Sequence, residues 1–432
     1  MSTYDTKTTE TAPFPSRTSK CWLLTLLPVV LALLLFQLNW QYQYPGWSET
    51  VNITGSTISF TRAEDLIFVA RGNNSSIDIY KSLGWMHAHD RYVQMCLLRV
   101  ASQGRLLENF PYSDMSFKID MLSKQFDFEG ISKEYSSKFP PPEMEILTSY
   151  VEGVNEYMSE HPRPLEFVLV NYHPPLFAAS DILGMQRFVS YAGLDEICLA
   201  VEKILIEATT QSNAEIDFLK SVFSPHIDNL DEELIEIYKS IKDLKPTGEK
   251  TIGIRTITNS NNWVISGNLS ESGLPILSSD PHLDVSKIPN MFYESHYIGG
   301  DGVKVFGISV PGLPIYLMGR NTHLSYALTY GMLDMADYFV ENIKAGQYER
   351  DGQFYPFTKR TYSINGRDMV FYDTAEGHRL ERQLANYDKP LVDGRYLALR
   401  VPLSVEKDIE AINMCRLPFA TDVYQAKVDF SL

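Results

Sequence analysis

"TITNSNNWVISG", residues 256–267, crowds three asparagines around Ser260 and then turns abruptly to Trp-Val-Ile. A polar spacer thus ends on a serine at the first step of an apolar strand. Upstream, "DLKPTGEKTIGIRTITNS" is a polar linker. Downstream, the grammar is that of β-structure: "NWVISG" and "LPILSSD" flank the turn-rich "NLSESG", and "NMFYESHYI" and "VKVFGISV" flank "GGDG". Apolar runs of strand length separated by Gly/Ser/Asn/Asp clusters predict hairpins. "PIYLMG", "HLSYALTY" and "DYFVENI" continue the series into an antiparallel sheet running on from Ser260.

Before the linker the pattern is mainly helical. A short β-like stretch, residues 57–71, leads into "IYKSLGWMHAHDRYVQMCLLRVASQGRLLENF", where Met86, Val93, Leu97 and Val100 recur at helical spacing. Further helices are expected around 142–160, 180–208 and 213–242, broken by "KFPPPE" and "NYHPPLF". The fold class is therefore α+β, with a helical first part and a β-rich second part.

The chain has 432 residues, 44% hydrophobic and 21% charged, which is ordinary for a globular protein. Its formal net charge of −16, with no local basic cluster, excludes nucleic acid as a partner, because phosphate binding needs a basic face. Cys21, Cys96, Cys198 and Cys415 are scattered without CxxC or Cys/His spacing, so no zinc site is expected. One disulfide could form in an oxidising compartment, and the sequence does not choose its pair.

"CWLLTLLPVVLALLLFQLNW", residues 21–40, is uncharged and long enough to cross a bilayer as a helix, with Trp22 and Trp40 at its ends. Lys7, Arg17 and Lys20 precede it and the next basic residue is Arg62, which orients the tail 1–20 to the cytosol and the bulk of the chain to the extracytoplasmic side. A cleaved signal peptide is the alternative, but the apolar run is long for one and lacks a clear A-x-A site. Sequons at Asn52, Asn73, Asn74 and Asn268 suit a secretory route. The expected organisation is a tail (1–20), a transmembrane signal anchor (21–40), a helical region (48–208), a linker or spacer (209–259) and a β-rich nucleophile domain (260–432).

A serine hydroxyl needs a nearby base to attack a carbonyl. No G-x-S-x-G elbow is present. One other solution makes the serine the first residue of a chain, so that its own α-amine, with a reference pKa near 7.7–8.0, takes the proton. A linker, then a nucleophile, then a strand is the layout that such chain opening requires. The alternative for a serine at a loop–strand junction is a backbone cap.

"SNNWVISG", "SSDPHL", "VFGISVPGLPIYLMGRNTHLSYALTYG" and "DMADYFVE" together resemble the penicillin acylase family of N-terminal nucleophile hydrolases, in that family's order and approximate spacing. "GWMHAHDRYVQMCLLRVASQGRLLE" is similar to the family's early α-chain helix. The resemblance implies an αββα sandwich, self-cleavage into an α/β chain pair, and hydrolysis of a linear amide carrying a bulky or fatty acyl group. It makes Ser260 the nucleophile, His282 the family's His-or-Gln beside it, and Tyr330 the donor of a backbone N–H to the oxyanion. Met185, Phe188 and Leu283 would line the substrate pocket. Glu196, Asp334, Ala336 (through its carbonyl) and Asp337 would hold a structural calcium, a hard cation suited to oxygen ligands from two chains. No organic cofactor is implied.

His87 and His89 in "HAHD" look metal-like, but on a helix they face different ways and no site is assigned to them. The family's second oxyanion donor, an Asn on a later strand, and a following Arg have no counterpart before Leu432. Loss of one oxyanion donor costs about 100- to 1,000-fold in rate. The sequence thus leads to two expectations. One is a membrane-anchored amidohydrolase whose 432-residue form is incomplete and weak or inactive. The other is a non-catalytic, membrane-tethered relative that binds acylated ligands.

Overall fold

The computed structural model describes residues 45–65, 67–192, 206, 218, 221, 231–243, 259–282, 289–329, 336–401 and 414–430. Alternation of buried and exposed residues lays down β1 (Ser48–Ile53) and β2 (Ser56–Arg62). They are joined by Thr54-Gly55, both at positive φ (44° and 82°), the tight turn whose twist suits a hairpin. After β3 (Phe68–Gly72) the chain becomes helical: α1 (Ser75–Ser102), α2 (Leu106–Asn109), α3 (Asp114–Phe126), α4 (Phe128–Ser136), α5 (Pro141–Glu160), α6 (Leu165–Leu169), α7 (Ala179–Ser190) and α8 (Glu232–Lys239). Asn74 caps α1, accepting from the Ser76 amide at 3.2 Å, and Pro141 opens α5 where its missing N–H is not needed.

The rest of the described chain is mostly strands. These are β4 (Ile241–Lys242), β5 (Asn259–Ile265), β6 (Ile276–His282), β7 (Tyr293–Gly299), β8 (Lys304–Ser309), β9 (Tyr316–Arg320), β10 (Ser325–Tyr326) and β11 (Asp337–Lys344). They continue through β12 (Gln347–Arg350), β13 (Gln353–Pro356), β14 (Thr358–Ile364), β15 (Arg367–Asp373), β16 (Arg379–Leu380) and β17 (Gly394–Arg400) to a last helix, α9 (Val423–Phe430).

Among the described residues, seven strands form one sheet in the order β1-β2-β3-β7-β8-β9-β10. A second sheet runs β13-β12-β11-β17-β16-β15-β14, with β4 beside β17, and β5-β6 stand apart as a ribbon. The mixed α+β class expected from the sequence is what the chain adopts. The strands after Ser260 do not form one sheet, however: they divide among three. The first part contributes β1, β2 and β3, and β3 lies parallel to β7, from Phe68 opposite Ser295 to Gly72 opposite Gly299. Of the helix expected over 213–242, the described residues show α8, which is capped by Asp231 and stops at Lys239, since Ile241 and Lys242 pair with Arg395 and Tyr396. Residues 213–230 lie outside the described residues except Phe218 and Ser221. Beyond Ala192, the helix expected over 180–208 lies outside the described residues except Ile206. So does the apolar segment 21–40. Among the described residues no helix is long and apolar enough to cross a membrane.

The core sits between the first sheet and the α1/α5 pair. Trp85 of α1 is fully buried, stacked on Phe60 of β2 at 4.1 Å and edge-on to Phe68 of β3 at 6.0 Å. Met86 and Val100 are buried as their spacing requires, while Leu97 is exposed. The helices α1 and α5 cross closely because both carry glycine at the contact. A Cβ on Gly84 would stand 2.1 Å from the Tyr150 carbonyl oxygen, and one on Gly153 1.9 Å from the Lys81 carbonyl oxygen. Backbone cannot give way as a side chain can, so Gly153→Ala is expected to force the helices apart and cost about 3 kcal/mol. Urea denaturation measures it; an unchanged midpoint would mean that the crossing tolerates a methyl group there.

The second sheet docks on the C-terminus of α3, whose last carbonyls have no partner within the helix. Arg360 donates to the carbonyls of Lys124 (2.5 Å) and Gln125 (2.7 Å), and buried Arg379 donates to that of Gln125 (2.6 Å). Cations at this end also complement the helix dipole. Arg360 is itself fixed by Asp373 through two hydrogen bonds, at 2.6 and 3.0 Å.

Candidate active site

Ser260 is the second residue of β5, paired with β6 from Asn259 opposite His282 to Ile265 opposite Ile276. Alternation sends side chains of the ribbon to opposite faces. Ser260, Asn262 and Ser279 share one face, which turns toward the first sheet: Ser279 Oγ lies 3.1 Å from Met318 Sδ of β9. The other face carries Asn261, Asp280 and His282 at one end and Trp263, Ile265 and Ile276 at the other. That apolar end is open to water, Trp263 being 50% exposed, as is Leu269 (81%) in the connecting turn.

Ser260 Oγ stands 2.6 Å from Thr329 Oγ1, and the Thr329 hydroxyl donates to the Ser260 carbonyl oxygen at 3.0 Å. The serine is thus held at two atoms by one side chain from the segment after β10. Sequence reasoning passed over Thr329. Its signal was its place in "LTYG", a hydroxyl residue immediately before Tyr330. His282 Nε2 lies 3.0 Å from Asp280 Oδ2 and 3.4 Å from Asn261 Nδ2, so the imidazole belongs to a polar group on the far face at the level of Asn259, the residue before the serine. Tyr330 and Leu283 lie outside the described residues.

Met185 and Phe188 of α7 are buried in the helical core. Gly312, at φ +103°, leaves the space that the Met185 methyl fills, and Phe188 meets Phe128 edge-on at 6.1 Å. Of the expected calcium ligands, Glu196 and Asp334 fall outside the described residues. Ala336 is buried, and Asp337 opens β11 with an exposed side chain. Among the described residues no group of three or more His, Cys, Asp or Glu side chains could hold a metal. Cys96 and Cys415 are both buried as free thiols; Cys21 and Cys198 lie outside the described residues.

The two histidines of "HAHD" do face different ways. His89 sits among Trp47, Phe68, Trp85 and Tyr157 with Nδ1 2.7 Å from Asp90. His87 is fully buried between Tyr150 Oη and Ser309 Oγ, each at 2.8 Å. The Gly312 amide donates to Tyr150 Oη at 3.0 Å, and Ser309 donates to the Tyr293 carbonyl at 3.1 Å. These fixed ends set the chain's direction: Tyr150 donates to Nδ1, and Nε2–H donates to Ser309. Burial first, and then the charge of Arg91, lower the His87 pKa to about 3 against the opposing pull of Asp90.

The penicillin amidase family model matches residues 65–431. The penicillin acylase 2 proenzyme of Pseudomonas sp. (strain SE83) is 26% identical over 367 residues, covering 81% of this chain and 46% of that protein. The acyl-homoserine lactone acylase QuiP of Pseudomonas fluorescens (strain Pf0-1) is 27% identical over 330 residues, covering 71% of this chain and 39% of that protein. The chain thus spans less than half the length of these relatives. Among solved structures, a thermostable penicillin G acylase from Alcaligenes faecalis aligns with a TM-score of 0.32 and 18% identity, over 41% of this chain and 93% of that one.

Proposed function

The chain belongs to the penicillin amidase family, and from that premise we propose that it is an amidohydrolase that opens its own chain before Ser260 and then cleaves a linear acyl-amide. The observation that carries this reading is the two-point hold on Ser260 by Thr329, at the first residues of a paired strand and directly after a polar spacer.

In the opening step Ser260 Oγ attacks the carbonyl carbon of Asn259. The Asn259–Ser260 C–N bond breaks, the hydroxyl proton ends on the Ser260 nitrogen, and an ester remains. Water hydrolyses that ester to the Asn259 carboxylate and frees the Ser260 hydroxyl and α-amine. The amine is then the base for the external reaction: Oγ attacks the substrate carbonyl, the proton passes to the leaving amine, and water releases the acid from the acyl-serine. The Tyr330 amide is the expected oxyanion donor, and a donor in that place stabilises the charge that develops. His282, on the level of Asn259, borders the bond to be broken. Leu283 would shape the acyl pocket.

The Pseudomonas sp. relative is named a proenzyme, and opening before Ser260 would be a maturation of that kind. Glu196, Asp334, the Ala336 carbonyl and Asp337 would hold calcium, whose contribution is to tie the two chains together. We place the chain on a single-pass anchor at residues 21–40, with the site on the extracytoplasmic side.

A second reading, a membrane-tethered binder of acylated amides, is favoured by the open apolar end of the β5-β6 ribbon, where Trp263, Ile265 and Ile276 offer a surface to an acyl chain. Intact mass under denaturing conditions, with N-terminal sequencing of the full-length protein, separates the two. A fragment beginning Ser-Asn-Asn-Trp is expected. A single uncut chain would put the binding reading in its place.

A further inference from the structure

Ser260 and Thr329 share more than proximity. A threonine hydroxyl has one proton, and that of Thr329 is committed to the Ser260 carbonyl oxygen at 3.0 Å. The 2.6 Å contact between the two hydroxyl oxygens therefore has one direction: Ser260 donates and Thr329 accepts. The pair closes a ring that fixes the rotamer of Ser260 and the orientation of its peptide together, and it turns the hydroxyl proton toward Thr329 and away from the backbone.

This matters most while the chain is uncut. Ser260 then has no α-amine to take or orient its proton, and its nitrogen is the leaving group. We propose that Thr329 is the positioning residue for the opening of the chain, holding the Ser260 hydroxyl and carbonyl in the arrangement from which Oγ reaches the Asn259 carbonyl carbon. This rests on the reading of Ser260 as the nucleophile. A threonine hydroxyl is far too weak a base to remove the proton itself, so its part is orientation. The proton still travels from Oγ to the Ser260 nitrogen as the O–C bond forms and the C–N bond breaks. Once the chain is open, the grip on the carbonyl keeps the new N-terminus in the site, and the same residue serves the external reaction.

The test uses the full chain with Thr329→Val, which keeps shape and loses the hydroxyl, and Thr329→Ser, which keeps the hydroxyl. Conversion of uncut to cut chain is followed by denaturing mass spectrometry, with and without hydroxylamine, which intercepts the ester once it has formed. Thr329→Val is expected to slow opening by about ten- to a hundredfold, the size of effect that misplacing a reacting group produces. Thr329→Ser should restore most of the rate, and hydroxylamine should not rescue Thr329→Val, because the loss precedes the ester. In cut protein, Thr329→Val should lower kcat and leave KM nearly unchanged.

Three results would overturn the proposal. One is opening of Thr329→Val at the wild-type rate. Another is its rescue by hydroxylamine, which would move the defect to ester hydrolysis. The third is equal slowing in Thr329→Ser with a matching fall in Tm, which would make Thr329 a loop tie. If the wild-type chain itself stays uncut, the reading of Ser260 fails and takes this proposal with it, a result distinct from all three.

Discussion

Ser260→Ala is expected to yield one uncut chain and no measurable amide hydrolysis. On the proposed mechanism the substitution removes the attacking oxygen that both steps need, and it should leave the fold nearly untouched. The pairing of β5 with β6 is made by backbone, and the hydroxyl pair with Thr329 that is lost lies at a partly exposed position. A single hydrogen bond of this kind contributes about 1 kcal/mol, so the folded state survives. The proposed activity should not survive: deleting a serine nucleophile lowers turnover by roughly a millionfold in well-studied hydrolases. Ser260→Cys is the useful companion. A thiol is a competent nucleophile, so this variant should still open its chain while turning over amides poorly. The readouts are denaturing intact mass and release of free acid from a panel of N-acyl substrates. Cutting of the Ser260→Ala chain at the same bond would remove Ser260 from the mechanism.

The second large effect is on stability and comes from His87. In the folded protein this ring is neutral and buried, with its pKa lowered to about 3 from a reference of 6.5. An unfolded chain therefore binds a proton that the folded chain refuses, over the whole interval between those values. Stability contributed by the neutral ring is fully present above pH 6.5 and is lost as pH falls toward 3, by about 5 kcal/mol in total. That is a large share of the 5–15 kcal/mol typical of a folded domain. Denaturant titrations at steps from pH 7.5 down to 4 should show the decline. His87→Gln, which can still accept from Tyr150 and donate to Ser309, should be less stable at neutral pH and lose less on acidification. If both proteins decline in parallel, the acid sensitivity lies elsewhere. His87→Ala should do worst at neutral pH, losing about 3–5 kcal/mol, because it opens a cavity and leaves two buried hydroxyls short of a partner.

The sequence was most legible where one local pattern decides the outcome. The β7-β8 hairpin followed from "GGDG" between two apolar runs, and the β5-β6 ribbon from "NLSESG". Helix α5 begins at Pro141, beside the prolines that mark it. Sheet membership was not legible. Nothing near Phe68 or Tyr293 announces that β3 and β7 are neighbours, because the pairing joins segments far apart in the sequence. The site divides in the same way. Ser260 stood out as a polar residue at the edge of an apolar strand, and family phrases supplied His282. Thr329 did not stand out, since a threonine gains its meaning here only from the serine that folding brings within 2.6 Å. The far-face partners of His282, Asn261 and Asp280, depend on strand register, which a sequence of three asparagines leaves open.

The parallel pairing of β3 with β7, and of β4 with β17, sews sequence from before Ser260 to sequence from after it. Further stitches are the Tyr80 hydroxyl on the Cys415 carbonyl and the Glu143–Arg416 ion pair. A cut between Asn259 and Ser260 would therefore release nothing: the two pieces would migrate together until denatured. The history of the molecule would change all the same. Before the cut, folding is a property of one chain and independent of dilution. After it, the same native state could be regained only by two pieces finding each other, at a rate that falls with concentration. Such a protein would fold once as a monomer and, if melted in dilute solution, not return.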